Sequence, residues 1–364
     1  MDAATYIAVG VLNATLFIFF GYLTPRVTRP QLLFGVQIDP NSIPPDLPTT
    51  LRRKWDIGLL VIFTFALVLI AFTTTTPHPL WLVAQLLIAL AWFFRLYLKL
   101  YRQALPYAAP ASTLRPVELP MRSYSDIVPL VFEALPLALL VGSLVTSLLY
   151  YTDLPARIPI HFNLAGQPDG WTDKSLAVVF GLWVVNALLY AMLTLICVYT
   201  PRSSRLATRP SMKQSLAVRR RFIEALIRYL FVTKTLVVAV LALAHGWTLA
   251  AALDASVNLG IIMAMLGIVT LLVAIGGAIR LAITYGQGGS RLLKASDEHL
   301  EGSAADQSAW RLGVFYYNPN DPSLFVEKRF GIGLTLNFGN KKAWLFLGLI
   351  VLLLAIALTI SFQS

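Results

Sequence analysis

Long apolar stretches alternate along the chain with shorter polar segments. A helix needs about 20 apolar residues to cross the roughly 30 Å hydrocarbon core of a bilayer, and eight stretches of the chain approach that length. They cover residues 6–23, 57–74, 80–98, 128–151, 175–199, 229–247, 257–279 and 343–362. The pattern therefore predicts an all-α polytopic membrane protein with eight transmembrane helices.

The composition agrees with this class. Hydrophobic residues make up 57% of the 364 residues and charged residues 13%, and the mean hydropathy is +0.70. Soluble globular proteins carry about 25% charged residues, so little water-facing surface is expected. The one cysteine, Cys197, cannot form an internal disulfide. These values exclude a soluble single-core enzyme, a disordered chain and a disulfide scaffold.

The net charge is +11 and the sequence pI is about 9.8, values that could suggest a nucleic acid partner. The positions of the cations argue against that partner. All but three of the 29 Lys and Arg residues fall in or beside the first, third, fifth and seventh connections; the exceptions are Arg157, Lys174 and Lys234. Cytoplasmic loops carry the excess of positive charge in membrane proteins. We therefore predict four basic cytoplasmic loops, both termini outside, and no binding of nucleic acid.

The connection at 152–174, on the predicted outer side, has the pattern of an ordered loop. Apolar and polar residues alternate from Ile158 to Leu164, which is typical of a half-buried strand. Pro159 restricts this strand to an edge or an isolated position.

The second half of the same connection predicts turns. Gly166 and the run Pro168-Asp169-Gly170 have turn chemistry. Trp171 suits the lipid interface, and Asp173 is placed to cap the next helix. The loop is thus expected to present polar side chains to the outer aqueous side.

This connection also carries a family resemblance. It reads Leu154-Pro155-Ala156-Arg157-Ile158-Pro159-Ile160-His161-Phe162-Asn163 and continues through Gly166, Pro168-Asp169-Gly170-Trp171 and Lys174. This stretch resembles the signature of the SDP immunity protein family, a bacterial integral membrane domain of unknown function. The resemblance implies a multi-pass protein of the bacterial cell (plasma) membrane.

The same resemblance implies partners. Members of the family protect a bacterium from its own secreted peptide toxin, and the founding member is also linked to sequestering a transcriptional repressor at the membrane. The implied partners are therefore a secreted peptide toxin or envelope ligand outside and a regulator in the cytoplasm, in addition to membrane lipids. We expect the outer contact surface to consist of Arg157, His161, Asn163, Asp169 and Trp171.

A second patterned segment, residues 312–342, precedes the last span. From Phe330 to Phe338 apolar residues alternate with residues that are small or polar, which predicts a small cytoplasmic juxtamembrane β element. The Asn-Pro-Asn-Asp-Pro run at 318–322 supplies a turn. The segment resembles a second uncharacterised module that often accompanies the first, and the run at 33–38 is a candidate strand to pair with it.

These features divide the chain into five regions. They are an N-terminal three-helix membrane region at 1–127, a four-helix core at 128–285, a cytoplasmic linker at 286–311, the cytoplasmic β module at 312–342 and the last transmembrane helix at 343–364. The linker is rich in Gly, Ser and acidic residues, which predicts a flexible segment. The basic stretch before the sixth span, 212–228, is interpreted as a solvated extension of that helix, with binding of anionic lipid or a regulator as the alternative.

Two charged residues lie within predicted spans. Glu133 and Lys234 are at similar depth in the fourth and sixth spans, and intramembrane charge is costly enough to suggest a function. Pro136 is expected to open the helix beside the acid. The pair is interpreted either as a relay or substrate site, as in a secondary transporter that also uses the Gly276-Gly277 pair, or as a structural ion pair.

Metal and catalytic chemistry have weaker signals. His78, His161 and His245 fall at the predicted outer edge, and imidazole binds zinc, but they come from different connections without ligand spacing. We therefore predict no metal site and no cofactor. His161 with Asp169 allows an envelope enzyme acting on a lipid-linked substrate as an alternative, but nucleophile and phosphate-binding motifs are lacking. The leading hypothesis is a toxin-immunity or sensor protein that is not an enzyme.

Overall fold

The computed structural model describes residues 3–39, 41–109, 116–118, 123–163, 165–201, 205–207, 213–254, 256–292 and 307–362. The helices are α1 (Ala3–Val27), α2 (Leu47–Thr73), α3 (Pro79–Ala104), α4 (Tyr124–Ile127), α5 (Ala134–Tyr150), α6 (Leu176–Tyr199), α7 (Lys213–Leu253), α8 (Gly260–Tyr285) and α9 (Lys341–Phe362). The strands are β1 (Leu32–Leu33), β2 (Val36–Gln37), β3 (Pro116–Glu118), β4 (Arg157–Phe162), β5 (Pro168–Asp173), β6 (Arg205–Ala207), β7 (Trp310–Arg311), β8 (Phe315–Tyr316), β9 (Phe325–Glu327) and β10 (Leu334–Leu336).

The predicted fold class is confirmed. Within the described ranges, α1, α2, α3, α5, α6, α7 and α8 are long and apolar enough to cross a membrane. The eighth predicted span forms the 22-residue helix α9. The strands form small two-stranded pairs that are separate from one another.

Helix α7 is longer than its predicted span. It runs for 41 residues, or about 62 Å at 1.5 Å per residue, and it continues past Trp247 to Leu253. The basic N-terminal part is an extension of this span, as predicted, but only one of its faces is solvated. Arg220, Arg221 and Arg228 are exposed, whereas Val218, Arg219 and Phe222 are buried. Apolar residues recur on one face of this part, and that face packs against α4 and the segment after α8.

The long helices pack in two groups. In the first, α1 and α3 lie against α2, and the indole of Trp55 on α2 donates to the Gly21 carbonyl oxygen of α1 at 2.9 Å. In the second, α5, α6 and α8 all contact α7, and α9 packs on α6. Helix α7 is thus the central helix of the second group.

The module before α9 is less regular than predicted. Strand β10 covers Leu334–Leu336 and pairs with β9, while β7 pairs with β8. The predicted strand does not extend back to Phe330, because Gly331 and Gly333 have φ values of +82° and +107°, outside the strand region. Pairing with residues 33–38 is also wrong: β1 and β2 there pair with each other.

The module nevertheless contacts the first group of helices. The Phe34 ring, in the turn between β1 and β2, lies 5.4 Å from the Phe330 ring, and Tyr97 of α3 donates to the Leu312 carbonyl oxygen at 2.9 Å. Inside the module, the buried Asn337 side chain donates to the carbonyl oxygens of Asn318 and Asp321 at 3.0 and 2.8 Å. One amide therefore holds the predicted turn at 318–322 against β10.

The segment predicted as a flexible linker is ordered at both ends. Gln287–Leu292 form 3₁₀ turns that are interrupted at Gly288 and Gly289, which have positive φ, and Gln287, Gly288 and Gly289 are buried. Strand β7 already belongs to the module at Trp310–Arg311. The residues between them, 293–306, lie outside the described ranges.

Candidate functional site

The connection between α5 and α6 is the hairpin β4–β5. Ile158 pairs with Thr172 and His161 with Gly170, so the predicted strand is present and is isolated in a two-stranded pair, as proline requires. The prediction of a turn at Pro168-Asp169-Gly170 is wrong, since these residues belong to β5. Strand β5 also includes Asp173, which was expected to cap the next helix.

The turn and the cap use other residues. The Asn163 side chain accepts from the Gln167 N–H at 3.0 Å, and the Asn163 carbonyl accepts from the Gly166 N–H at 2.9 Å, so Asn163 closes the hairpin turn with both its side chain and its backbone. Ser175, rather than Asp173, caps α6 by accepting from the Val178 N–H at 3.2 Å. Leu164 lies outside the described residues.

The five predicted contact residues all lie on the hairpin, but their environments differ. His161 Nδ1 and Asp169 Oδ1 are hydrogen-bonded across the two strands, and their side chains are 67% and 43% exposed. Arg157 and Trp171 are also exposed, whereas the Asn163 side chain is engaged in the turn. The hairpin therefore presents a polar and aromatic surface centred on the His161–Asp169 pair.

The hairpin is docked on α7 and on the connection after it. The Phe162 ring stacks on Trp247 of α7 with 4.1 Å between ring centroids, and Ile158 is buried with Leu249. Asn258 donates to the Ala165 carbonyl oxygen at 2.7 Å. These contacts fix the position of the exposed surface relative to α7.

Lys174 anchors the other end of the hairpin. Its ammonium group donates to the carbonyl oxygens of Tyr151 and Leu154 at 3.1 and 2.8 Å and lies 5.1 Å from the Tyr151 ring centroid. A cation is favourable at the C-terminal end of a helix, where carbonyl groups lack partners. This role of Lys174 was not predicted, although a cation in an otherwise cation-poor connection is a usable signal in the sequence.

The pair predicted inside the membrane is present. Lys234 Nζ lies 2.5 Å from Glu133 Oε1, with side-chain exposures of 0% and 9%. Tyr190 donates to the second carboxylate oxygen at 3.0 Å, and Tyr124 donates to the first. Lys234 also donates to Thr194 Oγ1 at 3.1 Å. Each charged group thus has several polar partners, which is the condition under which buried charge is tolerated.

Tyr124 reaches this pair from the short helix α4. A capping box between Ser123 and Asp126 starts that helix, with the Ser123 N–H donating to Asp126 Oδ2 at 2.9 Å. Burial, and then the bond to Glu133, raise the pKa of Tyr124 well above its ordinary value. The phenol consequently remains a hydrogen-bond donor to the carboxylate.

The predicted helix opening at Pro136 does not occur. Glu133 ends a 3₁₀ helix at Leu130–Glu133, and α5 begins at Ala134. Pro136 therefore lies in the first turn of α5, where its missing N–H would have no intrahelical partner in any case. In the Gly276-Gly277 pair, Gly277 packs closely on α7, because a Cβ there would lie 2.6 Å from the Tyr229 ring, whereas a Cβ on Gly276 would meet nothing within 4 Å.

The three histidines considered for zinc each have different hydrogen-bond partners. His78 accepts from the Leu80 N–H at the start of α3, and His161 is paired with Asp169. His245 is buried within α7, two residues before Trp247, and lies 2.6 Å from Ser147 Oγ of α5. Among the described residues, no group of three or more His, Cys, Asp or Glu residues could hold a metal ion.

A third cluster of charges lies at the other end of α7 from the hairpin. Glu327 of β9 binds Arg29 through Oε1 and Arg219 of α7 through Oε2, both at 2.7 Å, and all three side chains are at most 7% exposed. The Arg29 N–H also donates to Gln287 Oε1 at 2.9 Å. Gly288 allows the approach, since a Cβ there would lie 2.1 Å from Arg29 Nη2.

Charge neutralisation decides the ionisation of this cluster. Burial alone would raise the pKa of the Glu327 carboxyl, but the guanidinium groups of Arg219 and Arg29 hold it below its ordinary value. Glu327 is thus a carboxylate that joins the module to α7 and to the segment after α1.

This cluster was not predicted from the sequence, because the positions of the cations along the chain do not identify their partners. Glu327 is one of two acidic residues between 312 and 342, and it directly follows the apolar pair Phe325-Val326. An acid at the end of a buried strand was the available signal for a paired cation. Its partners are more than 100 residues away in sequence, so spacing did not identify them.

Helix α7 contacts all three sites. Arg219, Lys234 and Trp247 lie along it, which places the carboxylate cluster about 22 Å from the membrane pair and the hairpin about 20 Å beyond that pair at 1.5 Å per residue. The distance from Arg219 to Trp247, about 42 Å, equals the thickness of a bilayer with its headgroup regions. A single helix therefore connects the hairpin with the module.

Two family models match parts of the chain. One, described as a domain of unknown function (DUF1648), covers residues 138–193, and the other, described as a family of unknown function (DUF5808), covers residues 319–344. The first range includes the hairpin with parts of α5 and α6, and the second includes β9, β10 and the start of α9. No curated protein and no solved structure matches the chain. The chain is a membrane protein that carries domains of unknown function.

Proposed function

We propose that the chain is a bacterial membrane protein of the immunity or sensor type. It recognises a secreted peptide or another envelope ligand at the hairpin β4–β5 on the outer side of the cell membrane. Ligand binding is transmitted along α7 to the module before α9, and a cytoplasmic regulator binds this module in response. The protein performs no catalysis in this role.

One observation carries the proposal: α7 contacts the hairpin with its outer part and the module with its inner part. The Trp247 ring stacks on Phe162 of the hairpin at 4.1 Å, and Arg219 bonds to Glu327 of the module at 2.7 Å. Energetic coupling between distant sites is carried by packed side chains, ion pairs and rigid secondary elements. Movement of the hairpin on ligand binding thus changes the geometry at Glu327.

The hairpin has the properties of a recognition surface. It is a two-stranded pair, and strands without further neighbours leave backbone groups that can bind an extended peptide. Its exposed side chains include Arg157, His161, Asp169 and Trp171, which supply charge, hydrogen bonding and an aromatic face. The distribution of cations supports placing this surface outside the cell.

The test is a resistance assay. Cells that express the chain are challenged with secreted antimicrobial peptides, and wild type is compared with His161→Ala and with the double variant His161→Ala/Asp169→Ala. We expect protection by the wild type and at least a tenfold loss of protection in the double variant. Gln167→Ala is the matched control, because Gln167 is exposed on the same hairpin and only its backbone bonds are used there.

Two results would contradict the proposal. The first is an absence of protection by the wild type against every peptide tested. The second is protection that survives the hairpin changes but is lost in Glu133→Gln/Lys234→Met, which would instead favour a transporter working through the membrane pair. Equal surface expression of all variants, measured by blotting of membrane fractions, is required for either conclusion.

A further inference from the structure

Asn13 is an amide exposed in the middle of a membrane-spanning helix. It lies near the centre of the 25-residue helix α1, its side chain is exposed, and the described part of the chain offers it no hydrogen-bond partner. The other amides within the spans behave differently. Gln85 is buried and donates to the Gly10 carbonyl oxygen at 3.3 Å, and Asn186 is buried and donates to that of Val238 at 3.1 Å.

Hydrocarbon cannot satisfy such a group. An amide left without a partner in an apolar medium costs several kcal/mol, so polar side chains within transmembrane helices normally bond to another helix. Asn13 lies about 15 Å from the start of α1 and about 21 Å from its end at 1.5 Å per residue, which is too deep for lipid headgroups or bulk water. Its partner must be a polar group at the same depth.

Asn13 lies on the wall of a small groove formed by α1, α2 and α3. Gln85 and the buried residues Ala14, Ala66 and Ala89 also line this groove. Its volume of about 330 Å³ is too small to hold a helix about 10 Å across, so a neighbouring helix would lie across the exposed face of α1 that carries Asn13. Polar residues on such a face form bonds across helix contacts.

We propose that this face binds a second copy of the chain, with Asn13 of each copy hydrogen-bonded to Asn13 of the other. An amide carries both a donor and an acceptor, so it is complementary to itself across a two-fold axis, and two-fold contacts use the same patch on both subunits. A lipid tail fills a groove but provides neither group. Two copies in the same membrane also share one orientation, which places the two Asn13 side chains at equal depth.

Helix geometry identifies the residues expected at the contact. At about 100° per residue, Val9 and Phe20 lie on the same side of α1 as Asn13, whereas Val11 and Thr15 lie on the opposite side. All four are exposed, so each can be replaced without disturbing the packing of the chain.

The first experiment is disulfide crosslinking of the full chain in lipid vesicles. Cys197, the one cysteine of the sequence, is replaced by alanine. One new cysteine is then introduced in each variant. We expect crosslinked dimers from Val9→Cys and Phe20→Cys and at least fivefold less from Val11→Cys and Thr15→Cys. Equal crosslinking from the two faces at all protein-to-lipid ratios would show random collision and overturn the proposal.

The second experiment tests the amide itself. Association is measured by energy transfer between labelled copies during dilution with lipid, for wild type, Asn13→Gln and Asn13→Leu. We expect Asn13→Gln to retain association and Asn13→Leu to weaken it about tenfold, the effect typical of a polar contact between transmembrane helices. A monomeric wild type, or equal association of the leucine variant, would overturn the proposal; unchanged thermal unfolding of both variants verifies that they fold.

Discussion

The contribution of Lys234 to stability depends on the buried charge that its removal would leave without a partner. The ammonium group satisfies Glu133 directly, and Tyr124 and Tyr190 share the same carboxylate. A buried pair of this kind adds little net stability compared with apolar residues, but removing one member leaves an uncompensated charge. The arrangement is therefore tolerant of removing both charges and intolerant of removing one.

We predict that Lys234→Met lowers the free energy of unfolding by about 3–5 kcal/mol, because it leaves the Glu133 carboxylate buried without its cation. The double variant Glu133→Gln/Lys234→Met is expected to recover most of this loss. Thermal unfolding in detergent micelles measures both changes. Lys341→Met, at an exposed position, is the control and should change stability by less than about 0.5 kcal/mol; a Lys234→Met variant as stable as this control would refute the prediction.

Glu327 differs from Glu133 in that it lies outside the spans and has two cations. Its folded-state pKa is below the ordinary value of 4.5, so the folded state binds its proton less readily than the unfolded state does. The stabilisation is fully present above about pH 4.5 and is lost as the pH falls through the folded-state pKa. The module should therefore loosen in acid.

We predict that Glu327→Gln reduces stability most at neutral pH. The difference in unfolding midpoint between wild type and variant should be constant above about pH 5 and shrink as the pH falls towards 3, because protonation removes the same charge from the wild type. Thermal unfolding across this pH range provides the measurement. Glu224→Gln is the control, since Glu224 forms a surface pair with Arg220 at 3.2 Å that is worth little. A pH-independent difference for Glu327→Gln would contradict the assignment.

At the scale of elements, the hairpin depends on close backbone contact at its turn. Gly166 has φ +75°, and a Cβ there would lie 2.0 Å from Asn258 Oδ1 and 2.7 Å from the Gly260 Cα. Both the conformation and the space favour glycine. The turn is thus held against the connection between α7 and α8, as Phe162 is held against Trp247.

We predict that Gly166→Ala releases the hairpin from this connection. Hydrogen exchange of residues 157–173 should become at least tenfold faster, because the new Cβ displaces Asn258 and requires an unfavourable φ. Mass spectrometry of deuterated peptides from these residues measures the rate. Gly246→Ala provides the control within α7, since a Cβ there meets nothing within 4 Å, and its effect on the hairpin should be absent. Unchanged exchange in Gly166→Ala would show that the contact is dispensable.

Elements with strong periodicity were predictable, and elements shaped by single residues were not. Each long apolar stretch forms a long helix because bilayer thickness requires it. The alternation at 330–338 predicted a longer strand than exists, since alternation does not reveal that Gly331 and Gly333 adopt positive φ. The 168–170 run likewise has turn composition but is held in β5 by pairing with β4.

The candidate site shows the same limit. Similar depth in two spans was enough to predict the Glu133–Lys234 pair, because membrane crossing converts sequence position into depth. The Arg29–Glu327–Arg219 cluster depends on the folding of four separate segments in the same place, and sequence spacing contains no such information. Long-range pairing of this kind follows from tertiary packing rather than local pattern.

At the scale of the whole molecule, the module joins the two groups of helices. It bonds to Arg29 after α1 and to Arg219 of α7, and its Phe330 packs on Phe34 and Trp55. A ligand-induced shift of α7 would therefore be transmitted through the module to the first group of helices, α1, α2 and α3. The side of the membrane on which this junction lies determines whether a cytoplasmic protein can read it.

The distribution of cations predicts that side. With 26 of the Lys and Arg residues on the module side of the eight spans, that side is expected in the cytoplasm and the hairpin outside. Alkaline phosphatase needs disulfides that form only outside the cytoplasm, so a fusion after Ser364 should be active and a fusion at Arg209 inactive. A cytoplasmic reporter at the same two positions should show the reverse. An active phosphatase at Arg209 would place the Glu327 junction outside, and a cytoplasmic regulator would then have no access to it.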